Sequence, residues 1–509
     1  MDDDRMAELR RRRAATEDAA RPEAVARRHE AGGRTARENV QDLVDAGSFV
    51  EYGRLAVAGQ RSRRSLDELI ARTPADGLVA GIGRVGGEPC AVLSYDYTVL
   101  AGTQGMLGHR KKDRLFELIE RMRLPAVLFA EGGGGRPGDT DHPVVSALDT
   151  RAFALWARLS GLVPRIAVVA GRCFAGNAVL AGCSDLIVAT ANVSLGMGGP
   201  AMIEGGGLGR VEPDAIGPLD MQAGNGVVDV AVADEAEAVA VTKQLLGYFA
   251  PAPRDFAAAD QAGLRTVVPE RERRAYDPRP IVETLCDVGS VVFLRERFAR
   301  GMVTGLGRIE GRPVGVIAND TRFMAGAITS DDADKAARFL QLCDAFAIPL
   351  VSLVDTPGFM VGPDAEATGL VRHGSRMLVA GAALRVPLIA VVLRRGYGLG
   401  AQAMVAGSLH EPLLTVAWAG AELGPMGLEG AVRLGLRREL EAIADDAERE
   451  ARVRELTAAA RENANAINAA TLFELDDVID PAETRGLIAA TLAAAGAPAR
   501  EPRRFVDTW

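Results

Sequence analysis

Paired cysteines, long apolar runs and an excess of positive charge are all absent from the sequence. The five cysteines are dispersed over 509 residues without a CxxC pair, which argues against a disulfide framework or a structural zinc site. The sequence has no run of about 18 apolar residues, so it predicts no membrane span. The charged N-terminus lacks the apolar core of a signal peptide. The net charge of −9 does not support nucleic-acid binding. We therefore expect a cytoplasmic protein.

The side-chain motifs of several common enzyme classes are also missing. The sequence contains no GxSxG elbow, no HExxH pair and no GxxxxGK[ST] loop. The histidines do not cluster at ligand spacing: they are His29, His109, His142, His373 and His410. These absences predict no bound metal and no side-chain nucleophile. They favour chemistry by backbone amides together with a reactive cofactor.

Two halves of the sequence repeat one another. GRVGGEPCAVLSYDYT pairs with GRIEGRPVGVIANDT, LPAVLFAEGGGGRPGD with IPLVSLVDTPGFMVGPD, and VPRIAVVAGRCFAGNAVLAG with VPLIAVVLRRGYGLGAQAMVAG. The offsets are 224, 224 and 223 residues, measured from Gly83 to Gly307, from Pro125 to Pro349 and from Pro164 to Pro387. The blocks that begin at Gly83 and Gly307 each predict two strands around a tight glycine-containing turn. Three blocks in one register predict a duplicated module.

Each half alternates apolar strands with helical stretches, which predicts an α/β fold with a mostly parallel sheet covered on both faces. The charged, proline-containing segment VPERERRAYDPRP separates the halves. We predict a helical N-terminal arm over residues 1–60 and domains over 61–275 and 285–509. The second domain should end in a helical tail from about residue 434.

A loop of small residues follows the VPxIAVV strand of each half and leads into an apolar helix. The first is Ala175-Gly176-Asn177 and the second is Gly398-Leu399-Gly400. Successive amides at a helix start can converge on an oxygen and stabilise an oxyanion. The alternative is a strand-to-helix turn with glycine for packing. The second loop also fits the looser GxGxxA dinucleotide pattern, which its sister loop lacks.

Charged residues near these loops have two interpretations each. Arg110-Lys111-Lys112 could contact ligand phosphates or begin a solvated helix. Asp355 and Asp364 flank the second-half loop. They suggest either acid–base chemistry or the capping of a turn, and the turn is favoured.

Several further motifs stand in order along the chain: RRHEAGGRTARENVQDLVDAGSFVEY (27–52), DYTVLAGTQG (96–105), EGGGGRPGD (131–139), CFAGNAVLAGCSD (173–185), GLVRHGSRMLVA (369–380) and AELGPMGLEGAVRL (421–434). Together they resemble the carboxyltransferase (beta) subunits of biotin-dependent acyl-CoA carboxylases, namely the propionyl-CoA, acetyl-CoA and methylcrotonyl-CoA carboxylases. The resemblance runs from about residue 27 to about residue 490, nearly the whole chain.

The resemblance implies two tandem crotonase-like (ClpP/crotonase) domains, with acyl-CoA on the first and biotin on the second. It implies that CO2 passes from carboxybiotin to the alpha carbon of an acyl-CoA through enolates, without a protein base or metal. The amides of Gly176 and Asn177 would hold the thioester enolate, and those of Leu399 and Gly400 the biotin ureido oxygen. The implied CoA loop is Gly132, Gly133, Gly134, Gly135 and Arg136. The implied biotin contacts are Pro357, Gly358 and Phe359. Gly398, Ala401 and Gln402 are further implied cofactor-binding residues.

The resemblance also implies partners. Trimers would stack into a hexamer. Biotin would arrive on a separate carrier chain with its biotin carboxylase, because none of the four lysines lies in a Met-Lys-Met-like hairpin.

Asn177 replaces a typical glycine, and Ala401 and Gln402 replace residues near the acyl pocket, so the acyl substrate stays open. Three other roles remain: a carboxyacyl-CoA decarboxylase subunit, a crotonase-type hydratase or isomerase, and a non-catalytic assembly subunit.

Overall fold

The chain forms two compact units in a computed structural model. The model describes residues 3–141, 146, 148–253, 255–269, 271, 274–496 and 505–509. The first unit comprises Met1–Ala250 and Pro502–Thr508, and the second comprises Pro251–Glu501 and Trp509. The domain limits proposed from the sequence, 61–275 and 285–509, stay predictions.

The first unit is built on a seven-stranded sheet of order β1-β2-β3-β4-β5-β7-β9, beside a separate parallel pair of β6 and β8. The β1-β2-β3 part is antiparallel and the remainder is parallel. β4, β5 and β7 are buried throughout, as expected for strands covered on both faces. The strands are β1 (Val50–Glu51), β2 (Leu78–Val85), β3 (Glu88–Tyr95), β4 (Ala126–Phe129), β5 (Arg165–Val169), β6 (Arg172–Phe174), β7 (Leu186–Thr190), β8 (Ser194–Gly196) and β9 (Val230–Val232).

Helices cover this sheet, and several begin at a recognisable cap. Thr35 and Glu38 form a capping box at the start of α3, and Asp234 caps α10. The helices are α1 (Asp3–Ala14), α2 (Pro22–Glu30), α3 (Ala36–Leu43), α4 (Leu66–Arg72), α5 (Met106–Met122), α6 (Ala152–Arg158), α7 (Gly176–Gly182), α8 (Pro200–Gly205), α9 (Leu219–Gly224) and α10 (Glu235–Gly247).

The second unit repeats the plan, with strand order β10-β11-β12-β13-β14-β15-β17 and β16 paired to the end of β14. β10-β11-β12 is antiparallel and the remainder is parallel. The strands are β10 (Val292–Leu294), β11 (Met302–Ile309), β12 (Arg312–Asn319), β13 (Leu350–Thr356), β14 (Leu388–Tyr397), β15 (Leu414–Trp418), β16 (Glu422–Gly424) and β17 (Asp477–Ile479).

The helices of the second unit include a long buried one, α13, which begins at a capping box of Thr329 and Asp332. The helices are α11 (Leu264–Val267), α12 (Arg279–Leu285), α13 (Ser330–Ala345), α14 (Pro363–Ala367), α15 (Leu370–Ala382), α16 (Gly398–Met404), α17 (Leu428–Gly435), α18 (Arg437–Glu441), α19 (Asp446–Ala464), α20 (Ala466–Thr471) and α21 (Thr484–Ala495).

The repeat seen in the sequence is a repeat in three dimensions. The predicted hairpins are β2–β3 and β11–β12, each with eight paired residues. The carboxylate of Asp45 accepts both amide N–H groups of the Gly86–Gly87 turn. Asp287 accepts both amides of Glu310–Gly311 in the same way. The duplication therefore extends to the polar contacts that fix the turns.

The two ends of the chain are less purely helical than the sequence analysis expected. In the arm over residues 1–60, β1 adds to the edge of the first sheet beside β2. In the tail, β17 adds to the second sheet parallel to β15. The amide of Thr415 donates to the carboxylate of Asp476 and its carbonyl accepts from the Asp476 amide, which sets β17 in register. A two- or three-residue edge strand depends on a distant partner strand, so local sequence does not reveal it.

Candidate active site

The first candidate amide pair lies where β6 ends and α7 begins. Ala175 connects the two with φ 51° and ψ −124°, a conformation outside the helical region. Gly176 and Asn177 are the first two residues of α7. The first amide N–H groups of an α-helix have no intrahelical acceptor, so this turn orients two donors in a short space.

The glycine-rich loop after β4 packs directly against this turn. Gly134 has φ 84°, and a Cβ there would lie 2.7 Å from the Cβ of Ala175. The loop is held by Gly132, whose amide donates to the carbonyl of Arg172 at 2.7 Å and whose carbonyl accepts from the Phe174 amide at 2.9 Å. Gly133 and Gly135 are exposed beside it. Glycine is therefore required at position 134 for a close approach of two backbones.

The side chain of Asn177 points away from the turn into the protein interior. Its Nδ2 donates to the carbonyl oxygens of Glu131 at 2.7 Å and Gly102 at 3.3 Å, and its Oδ1 accepts from Gln104 Nε2 at 2.8 Å. Gln104 in turn accepts from Lys112 Nζ at 2.6 Å. The departure from a typical glycine at position 177 is thus accommodated by a buried polar network.

Arg136, which the resemblance assigned to the CoA loop, has its guanidinium inside the protein. The side chain is 4% exposed and forms an ion pair with Asp76. It also donates to the carbonyl and hydroxyl oxygens of Thr103, at 2.7 and 3.1 Å. These contacts make Arg136 an anchor of the loop.

The second candidate amide pair lies between β14 and α16. Gly398 has φ 58°, and a Cβ there would lie 3.0 Å from the carbonyl oxygen of Pro425. Leu399 is 65% exposed, whereas Gly400 is buried. A Cβ on Gly400 would lie 2.5 Å from the carbonyl carbon of Gly358 and 2.6 Å from its Cα. This turn and the loop at Gly358 are therefore packed backbone to backbone.

The loop that holds Pro357, Gly358 and Phe359 has the same attachment as its counterpart in the first unit. The carbonyl of Gly358 accepts from the Ile328 amide at 3.0 Å, as the carbonyl of Gly134 accepts from the Gln104 amide at 2.6 Å. Phe359 lies in parallel register with Ile328, as Gly135 does with Gln104. Each loop thus packs against the segment that leads into the long helix of its unit, α5 in the first unit and α13 in the second.

The two amide pairs share one local geometry. In each unit the preceding strand pairs in parallel with a three-residue strand, β6 with β8 and β14 with β16. The next residue then takes a positive φ, 51° at Ala175 and 58° at Gly398. The seven-residue helix α7 begins directly after Ala175, and the seven-residue helix α16 begins at Gly398 itself. The structure brings the predicted site residues together into two sets, one in each unit.

A cleft of about 660 Å³ opens beside the second amide pair. Its walls include apolar side chains such as Val405 and Leu423, together with His410 and Glu474. The lining residues that sequence analysis named are Gly398, Leu399, Ala401 and Gln402. The substituted positions 401 and 402 therefore both line this cleft, Gln402 with an exposed side chain and Ala401 with only 7% exposure.

Buried ion pairs support both loops from below. Asp355 is fully buried and accepts from Arg394 Nε at 2.9 Å and Arg395 Nε at 2.7 Å. The turn-capping interpretation of Asp355 is therefore wrong, because its carboxylate forms ion pairs with two arginines of β14. Glu131, 224 residues earlier, accepts from both terminal nitrogens of Arg28 at 2.7 and 2.8 Å. Burial raises the pKa of Glu131 to about 7, although Arg28 opposes the shift.

The basic tripeptide at the start of α5 does not offer three cations to solvent. Lys111 donates to the carbonyl oxygens of Ala75 and Leu78, and Lys112 is fully buried against Gln104. Only Arg110 of the three is exposed. The hypothesis that the tripeptide contacts phosphates is therefore wrong for both lysines, which lie on the buried face of an amphipathic helix.

Metal ions bind to histidine and to the side chains of cysteine, aspartate and glutamate. Within the described residues, no group of three or more histidine, cysteine, aspartate or glutamate side chains could hold a metal ion. His142 lies outside the described residues. Among the described helices, none has both the length and the apolar character needed to cross a membrane.

Comparison with known proteins identifies the family. Residues 27–506 match the carboxyl transferase domain family. The chain belongs to this family. It is 33% identical to the methylmalonyl-CoA carboxyltransferase 12S subunit of Propionibacterium freudenreichii subsp. shermanii, over 92% of this chain and 90% of that protein. It is also 33% identical to the biotin-dependent long chain acyl-coenzyme A carboxylase beta4 subunit of Mycobacterium tuberculosis, over 95% and 93%.

Solved structures show the same relationship. A single-chain, multi-domain long-chain acyl-CoA carboxylase is 55% identical with a TM-score of 0.92, and the match covers 96% of this chain and 48% of that longer chain. The transcarboxylase 12S hexamer with bound methylmalonyl-CoA is 32% identical with a TM-score of 0.84, over 99% and 98%. These matches confirm the predicted family, the crotonase-like α/β fold and the enzyme class, a carboxyltransferase of biotin-dependent acyl-CoA carboxylases.

Sequence reasoning missed the contacts of Gln104, which donates to the Asn177 side chain, and of Lys112, which donates to Gln104. The offset of 224 residues contained a signal, because it places Gln104 opposite Ile328 and Lys112 opposite Ala336. Two polar residues that align with two apolar residues of the other half indicate a polar contact present in one half only.

Proposed function

We propose that this chain is a carboxyltransferase component that transfers CO2 from carboxybiotin to the alpha carbon of an acyl-CoA. The amides of Gly176 and Asn177 hold the thioester enolate, and those of Leu399 and Gly400 hold the biotin ureido oxygen. The observation that carries this proposal is the duplicated turn, which presents two backbone amides in the same way in each unit.

The amides act on the barrier because the enolate oxygen is charged only transiently. A donor fixed in place before the reaction stabilises that charge without reorganisation, and loss of one such donor typically costs roughly 2.7–4 kcal/mol. Interactions that are stronger in the transition state than in the ground state raise kcat. This chemistry does not require an ionised side chain at the turn.

The glycine loops fit ligands that approach the backbone closely. Gly132, Gly133, Gly134, Gly135 and Arg136 are assigned to the border of the CoA site, with Arg136 as its internal anchor. Pro357, Gly358, Phe359 and Gly398 are assigned to the border of the biotin site. The fit rests on the absence of Cβ atoms at Gly358 and Gly398. Both residues have a positive φ, a conformation that residues with a Cβ rarely adopt. Biotin on a separate chain would supply the carboxyl group.

The acyl substrate is assigned to the long-chain class. The multi-domain structure that is 55% identical is named a long-chain acyl-CoA carboxylase, and the mycobacterial beta4 subunit carries a similar name. Ala401 and Gln402 are assigned to the acyl pocket, and both line the cleft beside α16. The chain is further assigned to a hexamer, as in the 12S transcarboxylase, with a biotin-bearing carrier and a biotin carboxylase as partners.

The decisive assay offers the protein a carboxylated biotin carrier and a panel from acetyl-CoA to palmitoyl-CoA. We expect carboxylation with kcat/KM rising toward the long chains. Reverse transfer from malonyl-CoA to free biotin provides a second measurement that needs no carrier. No transfer in either direction would overturn the proposed activity, and a preference for acetyl-CoA would overturn only the chain length.

A matched pair of variants tests the amides. Leu399→Pro removes one N–H in the first turn of α16, where a helix tolerates proline, and the 65% exposure of Leu399 leaves room for the ring. We expect kcat to fall about 10²–10³-fold. Leu399→Ala keeps the amide and loses only the side chain, so its loss should be much smaller. Equal losses in the two variants would contradict the role of this amide.

A further inference from the structure

A continuous chain of hydrogen bonds leads from a buried ammonium group to the first amide pair. Lys112 Nζ donates to Gln104 Oε1 at 2.6 Å, and Gln104 Nε2 donates to Asn177 Oδ1 at 2.8 Å. Asn177 Nδ2 then donates to the carbonyl oxygen of Glu131 at 2.7 Å. Each side-chain amide accepts at one end and donates at the other, so all the donors run in one direction away from the cation.

This network costs more than an apolar filling of the same space. Lys112 and Asn177 are fully buried, and Gln104 is 4% exposed. Besides Gln104, the ammonium group faces the Tyr95 ring, whose centroid is 5.6 Å away. A buried charge is expensive unless it is well paired, and burial lowers the pKa of Lys112 to about 7. Lys112 therefore has one side-chain acceptor and one aromatic ring to offset the cost of its burial.

The second unit shows the cheaper alternative within the same scaffold. Its backbone contacts match, since the Ile328 amide donates to Gly358 as the Gln104 amide donates to Gly134. The neighbouring lysine is also matched, because Lys335 donates to the carbonyls of Arg295 and Phe298 as Lys111 does to those of Ala75 and Leu78. Yet all three members of the network are replaced by residues without polar side chains, namely Ile328, Ala336 and Gly400.

The replacement of all three together indicates that the network is one unit with one purpose, and its end point identifies the purpose. Asn177 supplies one of the two backbone amides at the start of α7, and its side chain is held at both Oδ1 and Nδ2. Gly176, which supplies the other, is flanked by Gln104, whose Nε2 would lie 3.0 Å from an added Cβ. The network therefore packs directly against both residues that supply the donors.

We propose that Lys112, Gln104 and Asn177 form a buried positioning network for the amide pair of Gly176 and Asn177, an inference that rests on the proposed function. Hydrogen bonds in a chain polarise one another in a low-dielectric interior. When Lys112 is protonated, its charge at one end of the chain adds positive potential near the place where the enolate oxygen develops charge. The second amide pair, which has no such network, receives its position from backbone packing against Gly358.

The test compares three variants by kcat and KM for acyl-CoA and by thermal unfolding. Lys112→Met leaves the Gln104 oxygen without its donor, so both Tm and kcat should fall. The triple variant Asn177→Gly/Gln104→Ile/Lys112→Ala copies the set in the second unit. It removes the buried cation together with its partners, so its Tm should recover toward that of the native protein. We expect kcat of both to stay down about tenfold or more, with KM changed by less than about threefold.

The control is Lys111→Met, which removes the neighbouring buried lysine of α5. Its contacts are to carbonyl oxygens outside the network, so Tm should fall while kcat stays within about threefold of the native value. A triple variant that regains the native kcat together with its Tm would show that the network only fills space. The inference is equally overturned if Lys112→Met keeps the native kcat, or if Lys111→Met loses as much kcat as Lys112→Met.

These outcomes are separable from a failure of the proposed function. If the native protein transfers no carboxyl group, or if Leu399→Pro is as active as Leu399→Ala, the proposed function fails. If both of those results are as expected and the network variants keep their kcat, only the positioning role of Lys112 and Gln104 fails.

Discussion

Replacing Gly400 by alanine introduces a methyl group into the backbone of the opposite loop. The new Cβ would lie 2.5 Å from the carbonyl carbon of Gly358, 2.6 Å from its Cα and 2.9 Å from the amide nitrogen of Phe359. All three are backbone atoms, so no side-chain rotation relieves the overlap. The two segments must separate by about 1 Å to reach the ~3.5 Å at which carbon atoms attract.

Two effects of different size follow from this separation. Overpacking of a core typically costs about 1–3 kcal/mol of stability, which leaves a domain of this size folded. A displacement of about 1 Å in a catalytic group costs about 10²-fold in rate. We therefore expect Gly400→Ala to fold with a modestly lower Tm and to lose about 10²-fold in kcat for carboxyl transfer.

The assay is carboxyl transfer from a carboxylated biotin carrier to acyl-CoA, run beside thermal unfolding. Gly486→Ala is the matched control, because Gly486 lies in α21 and an added Cβ there meets nothing within 4 Å. It should keep native activity. A Gly400→Ala protein with native kcat would refute the reasoning, because the close contact would then have no bearing on the second amide pair.

Three further predictions concern buried charges and partners. Asp355→Asn removes the negative charge that pairs with Arg394 and Arg395 in the interior, and it should lower the free energy of unfolding, measured in urea, by about 3–5 kcal/mol. Asp364→Asn on the exposed helix α14 should lower it by less than about 0.5 kcal/mol. Similar losses in the two variants would contradict the buried ion-pair triad. Burial lowers the pKa of Lys335 from 10.5 to about 7, so between these values the unfolded state binds a proton that the native state lacks, and stability rises with pH. Lys335→Met should therefore reduce the slope of the unfolding free energy between pH 8 and 10 by about 1.4 kcal/mol per pH unit, and an unchanged slope would disprove the neutral lysine. The purified chain should incorporate no labelled bicarbonate with ATP and acyl-CoA until a biotin-bearing carrier and its carboxylase are added; incorporation by the chain alone would contradict the need for a partner.

Local pattern was sufficient wherever a feature depends on residues near one another in the chain. The repeat, the hairpins at Gly86–Gly87 and Glu310–Gly311, and the two turns before α7 and α16 were all predicted from short motifs. Each depends on backbone conformation and on apolar periodicity, which neighbouring residues set. The residues of the candidate site were likewise found as loops, since glycine marks both a positive φ and a close approach.

What tertiary structure alone decided is where side chains point and what they meet. Asp355 was interpreted as a turn residue, but two arginines about 40 positions later form ion pairs with it in the interior. Lys112 was interpreted as a phosphate contact or part of a solvated helix, and Arg136 as part of the CoA loop, yet Lys112 donates to Gln104 and Arg136 pairs with Asp76. These contacts depend on which strands and helices become neighbours after folding, and local periodicity carries no record of that.

The sequence by itself therefore determined that this chain is a duplicated α/β protein with two amide turns, because short motifs of neighbouring residues predict each of those features. The tertiary structure decided how the two turns are supported. In the first unit a buried lysine and two side-chain amides hold the turn, and in the second a glycine packs against a glycine. The physical reason is that both solutions occupy the same backbone scaffold, and only the packed interior distinguishes a hydrogen-bonded side chain from a space that has no room for one.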